Sequence, residues 1–257
     1  MKIAPTLVLI LAVSAVVAPV SQAMPDSEAT PGRLLLRRYA DAIVTVKGSV
    51  IFRATMDDRA LPAQENKIDV SGTVVTPTGL TVTSLSLVDP KTLFDNLRAK
   101  IPSGQDLKLI QGDFQNLRLA FGDGTELPAK IVWRDADHDV ALLAPTDPLP
   151  AGRTLTCVNL NEAPAAAIVL GTYFQVSRAS EAMRRMPVVY PCTVIGIAER
   201  PRRMIIVNTD AVGCPIFDLQ GRALGICLRL VVKNEFSGVV VVPSSDLVDI
   251  ENQITPL

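Results

Sequence analysis

Apolar and polar residues alternate along most of this chain with a period of two, the period of half-buried strands rather than of helices. "IVTVKGSVIFRA" from Ile43, "IDVSGTVVT" from Ile68 and "LTVTSLSLV" from Leu80 each read as strand, with a turn at Pro77 to Gly79. A more polar insertion follows from Asp89 to about Gly112. "LRLAFGDGTELPAKIVW" then reads as a hairpin turning at Asp123-Gly124. "VALLAP" closes the first half at Pro145, and Thr146 to Gly152 is a Pro-containing connector. The second half continues in the same manner through "AAAIVLGTYFQVSRA", "MPVVYPCTVIGIAE", "RMIIVNTD", "CPIFDLQGRALGICLRL" and "SGVVVVPSSDLVDI", with a short helix expected after Pro243. Many short strands at regular spacing predict an all-β chain, barrels or sandwiches, in two lobes at 38–145 and 146–257.

The chain opens differently. Lys2, the apolar run Thr6 to Ala18 and the small residues Ser21 and Ala23 form the pattern of a secretory signal peptide, residues 1–23, with cleavage expected after Ala23. That run is shorter than the roughly 20 residues a membrane-spanning helix needs, so no integral membrane segment is expected in the mature chain. Residues 24–37 read as a disordered leader, polar and Pro-containing from Met24 to Arg33. Leu34 to Ile43 then reads as a short helix running into the first strand. Export places the protein in a periplasm or outside the cell.

Composition narrows the function. A formal net charge of −1 argues against a nucleic-acid binder. Cys157, Cys192, Cys214 and Cys227 make an even set in an exported chain, so disulfides among them are expected, with pairing open. A single histidine and the absence of a C-x-x-C pair exclude a zinc site of the usual kind, and nothing calls for a cofactor.

Four collinear stretches carry a family resemblance. They are "SGTVVTPTGLTVTSLSLVDP" (Ser71 to Pro90), "LRLAFGDGTELPAKIVWRDADHDVALLAP" (Leu117 to Pro145), "NTDAVGCPIFDLQGRALGI" (Asn208 to Ile226) and "SGVVVVPSSDLVDIENQI" (Ser237 to Ile254). Together they resemble the protease domain of trypsin-like serine proteases of the HtrA (Deg) type, without a PDZ module. The resemblance implies two six-stranded antiparallel β-barrels of the chymotrypsin type, with short helices at the termini. It also implies where a Ser-His-Asp triad would stand. The acid matches Asp139. The histidine of the family's "TNNHVV" falls on Ser86, and the serine of "GNSGGP" falls on Val212. The turn before Pro215 is also several residues shorter than the family's, which removes backbone that would form an oxyanion hole.

Substitutes for the lost groups are few. His138 neighbours Asp139, so its ring should point away from the cleft as an exposed loop-end side chain. Ser86 is no base and is expected to hydrogen-bond Asp139. Cys214 is the one thiol near the nucleophile position, and nothing beside it would lower its pKa. Arg178, Arg184, Arg185, Arg200, Arg202 and Arg203 read as solvated arginines at hairpin ends. The expectation is an exported, catalytically inactive serine protease homologue that binds a protein or extended peptide. An active serine- or cysteine-type endopeptidase with a non-standard residue, or a structural envelope component, is the alternative.

Overall fold

The alternating pattern is realised as two closed barrels. In the computed structural model, which describes residues 26–99, 106–162, 168–200, 203–232 and 235–254, the first barrel joins six strands. In spatial order these are β1 (Ile43–Met56), β3 (Gln64–Val74), β4 (Thr81–Ser84), β7 (Val140–Pro145), β6 (Glu126–Asp135) and β5 (Leu107–Ala120), which pairs back onto β1. The short β2 (Arg59–Ala60) hangs on the far end of β1. The second barrel runs β10 (Met204–Val207), β13 (Glu235–Pro243), β12 (Ala223–Val232), β11 (Pro215–Phe217), β8 (Gly171–Arg178) and β9 (Pro187–Ala198), all antiparallel. The fold is the all-β, two-barrel, chymotrypsin-type architecture. The expected signal peptide, residues 1–23, lies outside the described residues.

Each barrel has its own apolar filling, and a third cluster joins them. Val44, Val46, Phe52, Leu119 and Leu143 fill the first barrel; Ile205, Ile216, Leu224 and Val241 fill the second. Ile43, Val82, Val140 and Leu142 from the first barrel meet Phe174, Val176, Ile226 and Leu228 from the second in a shared core. Several of these side chains are fully buried, each worth roughly 1.5–3 kcal/mol relative to exposure. The barrels are therefore one cooperative body.

Two expectations change. The leader is not irregular: Asp26–Tyr39 forms helix α1. Leu35 and Tyr39, one helical turn apart, are buried in the shared core, and the Tyr39 ring stacks on Phe217 with centroids 4.5 Å apart. Helical spacing of apolar groups against a ready-made barrel surface outweighs the polar start of the segment. "LTVTSLSLV" is strand only to Ser84; Leu85–Val88 winds into one helical turn, α2, and Pro90–Arg98 inside the polar insertion forms α3. The hairpin at Asp123-Gly124 and the terminal helix α4 (Ser244–Glu251) stand where the pattern puts them.

Arg178 also departs from expectation. Its guanidinium is 6% exposed rather than solvated. Nε donates to the Ile43 carbonyl at 2.6 Å, Nη2 to the Ala40 carbonyl at 2.9 Å and Nη1 to the Arg185 carbonyl at 3.1 Å. It thus ties the end of β8 to the segment that enters β1. The other arginines divide: Arg184, Arg200 and Arg203 are exposed, Arg185 pairs with Asp69 on β3, and Arg202 lies outside the described residues. Arg178→Ala is expected to cost about 3 kcal/mol or more, because it leaves buried carbonyls without donors. Arg178→Lys should recover only part of that, since an ammonium lacks the planar fork. Denaturant unfolding midpoints measure both, and an unchanged midpoint for the alanine variant would contradict the clamp.

Candidate functional site

The seam between the barrels holds a buried carboxylate. Asp139 ends the turn between β6 and β7 with a left-handed backbone (φ 56°), a conformation that Asp tolerates better than most residues. That geometry aims both its groups at the start of α2. Its carbonyl accepts the Leu85 N–H at 2.8 Å, and Oδ1 accepts the Ser86 N–H at 2.7 Å. The N–H groups opening a helical turn have no partner within it, so Asp139 supplies the cap that makes α2 form. Oδ2 accepts from the Ser86 hydroxyl at 3.1 Å and from the Ser84 hydroxyl, which itself lies 3.4 Å from that of Ser86. The expected Ser86–Asp139 bond is present. Ser84, fully buried at the end of β4, was not singled out from the sequence, although its two-residue spacing from Ser86 in "TSLS" carried the signal.

Burial pushes the Asp139 carboxyl pKa up, outweighing the hydroxyl and amide donors and the nearby Arg229 charge. The group beside it is a serine hydroxyl, which donates to the carboxylate and accepts no proton at neutral pH. His138 does not fill the gap. It sits in the same turn, half-buried rather than exposed, with Nδ1 2.7 Å from Asp135 Oδ2. Burial of Asp135 raises its pKa, but the His138 ring and the turn amides outweigh this and hold the carboxyl below the usual range.

The turn bearing Val212 is wedged against β3. Gly213 has φ 78°, and a Cβ there would stand 2.0 Å from the Ser71 carbonyl oxygen. The Thr73 hydroxyl donates to the Gly213 carbonyl at 2.7 Å, and the Thr83 hydroxyl donates to the Ser71 carbonyl at 2.8 Å. Gln175, completely buried on β8, braces the turn from below. Its amide donates to the Ala211 carbonyl at 2.9 Å, and its Oε1 accepts from Thr209 and Tyr190, each at 2.5 Å. Burial raises the Tyr190 phenol pKa further, so it stays a donor. Within this frame the turn amides are already used. Ala211 N–H bonds the Thr209 hydroxyl at 3.3 Å, Val212 N–H the Asp210 carbonyl at 3.0 Å and Gly213 N–H the Cys227 carbonyl at 2.7 Å.

The expected disulfides are not present: Cys157, Cys192, Cys214 and Cys227 are all free thiols. They are distributed among the cores. Cys157 borders the first barrel's core, Cys214 belongs to the shared core, and Cys192 and Cys227 belong to the second barrel's core. Burial pushes the Cys214 pKa up to about 11, and its thiol lies 3.3 Å from the Ser177 hydroxyl. A fully buried thiol with a raised pKa is a packing group, not a nucleophile.

Asp139→Ala should lower stability by about 1–3 kcal/mol, because the Ser86 amide and two hydroxyls lose their acceptor. Asp139→Asn keeps an acceptor for the amide and should cost less. The raised native pKa means the folded state takes up the proton first as pH falls. The charged carboxylate therefore opposes folding above its native pKa, and that opposition is relieved on passing below it. Wild type should gain on Asp139→Asn as the pH drops from 7 towards the carboxylate range, read from unfolding free energies at each pH. A gap between the two that does not move with pH would mean the side chain is hydrated.

A family model described as "Trypsin-like peptidase domain" matches residues 70–226, which takes in Ser86, Asp139 and Val212. Among solved structures, the chain is similar to the apo crystal structure of the MamO protease domain from Magnetospirillum magneticum. The two share 18% identity at a TM-score of 0.49, over 83% of this chain and 97% of that one. No curated protein matches the sequence. From the matched domain, which spans more than half of its length, this chain belongs to the trypsin-like peptidase family.

Proposed function

We propose that this protein is an exported, non-proteolytic member of the trypsin-like peptidases, close to the HtrA type, that holds an extended segment of another protein in the cleft between its barrels. The observation that carries this reading is the turn at Val212. Three successive N–H groups, from Ala211 to Gly213, are spent on acceptors inside the protein. An oxyanion hole needs such donors free and aimed at the reacting carbonyl. Ser86 in place of a base and Val212 in place of a nucleophile point the same way.

What the cleft retains is a strand edge. β12 has β13 along one side for its whole paired length, from Gly225 to Val232. Its other side pairs with β11 only through Ala223 to Ile226, and the Cys214 and Gly213 bonds to Cys227 complete that side. From Leu228 to Val232 that edge has no hydrogen-bonded strand partner among the described residues, although β4 of the first barrel lies beside β12. Alternate backbone donors and acceptors there suit an added strand, the mode in which main-chain bonds give affinity and side-chain pockets give selectivity. The expected boundaries at 23 and 145 and a periplasmic or extracellular location belong to the same proposal. They rest on the signal pattern ending at Ala23 and on strand rhythm.

A fluorophosphonate probe for activated serines should leave the protein unlabelled, and casein or peptide libraries should remain uncut. Ser86→His with Val212→Ser should stay inactive as well, because the missing oxyanion donors each cost on the order of 100- to 1,000-fold in rate. Rapid stoichiometric labelling at one residue, blocked by peptide, would overturn the non-proteolytic reading.

A further inference from the structure

On the open edge of β12 stands a cation without an acidic neighbour among the described residues. There Arg229 makes no hydrogen bond and no ion pair within 4 Å, whereas Arg118, Arg134, Arg153, Arg178, Arg185, Arg203 and Arg222 each have an acidic neighbour. Its guanidinium is nonetheless held in place, 4.5 Å above the centre of the Phe236 ring on β13. Phe236 is 55% exposed, unusual for a large aromatic, and the stack accounts for its position. A guanidinium over a ring face still has N–H donors at its rim, which can receive a carboxylate through two parallel bonds. The Asp139 carboxylate feels the Arg229 charge, so the cation is in electrostatic reach of the seam, yet Asp139 is committed to Ser84 and Ser86.

We infer that Arg229 selects an acidic residue in the segment that adds to β12. This rests on the strand-addition reading and specifies its partner as an acidic extended peptide. A strand laid antiparallel beside Leu228 to Val232 would bring one of its side chains opposite Arg229 on the same face, within about 4.5–5.5 Å between β-carbons. A Glu or Asp there meets a half-buried guanidinium with no ion-pair partner within 4 Å among the described residues, since Asp139, whose charge reaches it, is held by Ser84 and Ser86. A Lys or Arg there meets a like charge, and moving the guanidinium away would cost its stack on Phe236. The peptide's backbone supplies binding common to all sequences, and Arg229 supplies discrimination.

The test uses three fluorescein-labelled Val/Thr octapeptides that differ only at one central residue, Glu, Gln or Lys, titrated with the whole mature protein and followed by anisotropy. The Glu peptide is expected to bind at least tenfold more tightly than the Lys peptide, with Gln between, and the spread should shrink as salt is raised. Arg229→Gln should bring the three affinities together and lower the melting temperature only slightly, because what it removes is the stack on Phe236 and a charge near Asp139. Arg229→Glu should reverse the order. Equal binding of all three peptides by wild type would overturn the role of Arg229 and leave strand addition standing. Binding of none at millimolar peptide would overturn strand addition, and the inference with it.

Discussion

Packing two closed barrels against each other buries polar groups that neither barrel's own ladder can satisfy, and much of this structure answers that constraint. Unpaired buried donors and acceptors each cost about 1–3 kcal/mol, comparable to a fair share of a domain's net stability. The seam meets the demand with side chains drawn from distant parts of the chain. Arg178 reaches back to carbonyls at Ala40 and Ile43, Thr73 to Gly213, and Gln175 to Ala211. The apolar shared core supplies the driving force, and these bonds fix the one relative placement in which it closes.

Asp139 shows how the same constraint shapes the site. A carboxylate in this seam requires donors whatever the chemistry around it. Where a catalytic triad would present an imidazole, Ser86 presents a hydroxyl and an amide, and Ser84 adds a second hydroxyl. The acid thus serves as a helix cap and a structural anchor for α2, with its charge opposed by burial. On the other side of the seam, the shortened turn folds its amides back on itself, against β3 and β12. In both places the polar groups are bonded within the protein. Beyond Cys227, the edge of β12 on the β11 side has no hydrogen-bonded strand partner among the described residues.

The period-two pattern of valines, isoleucines and threonines, the Gly turns at Gly79 and Gly124 and the helix after Pro243 were legible from the sequence, because strand alternation and turn chemistry are local properties. So was the Ser86–Asp139 bond, since a buried acid needs a donor and Ser86 was the collinear choice. Other features depended on contacts far apart in the chain. Asp26–Tyr39 is helical because the surface around Phe174 and Phe217 exists to receive Leu35 and Tyr39. Leu85 to Val88 leaves the strand because a left-handed Asp139, some fifty residues away, caps it. The thiols are free and buried or half-buried in packing positions: Cys192 and Cys227 share the second barrel's core, and Cys214 lies in the shared core beside Cys227. Arg178 is buried and Arg229 is left open by where two barrels meet and where β11 stops. Alternation tells which side of a strand is apolar; only the closed barrels decide which polar groups lose their water, and so which side chains must replace it.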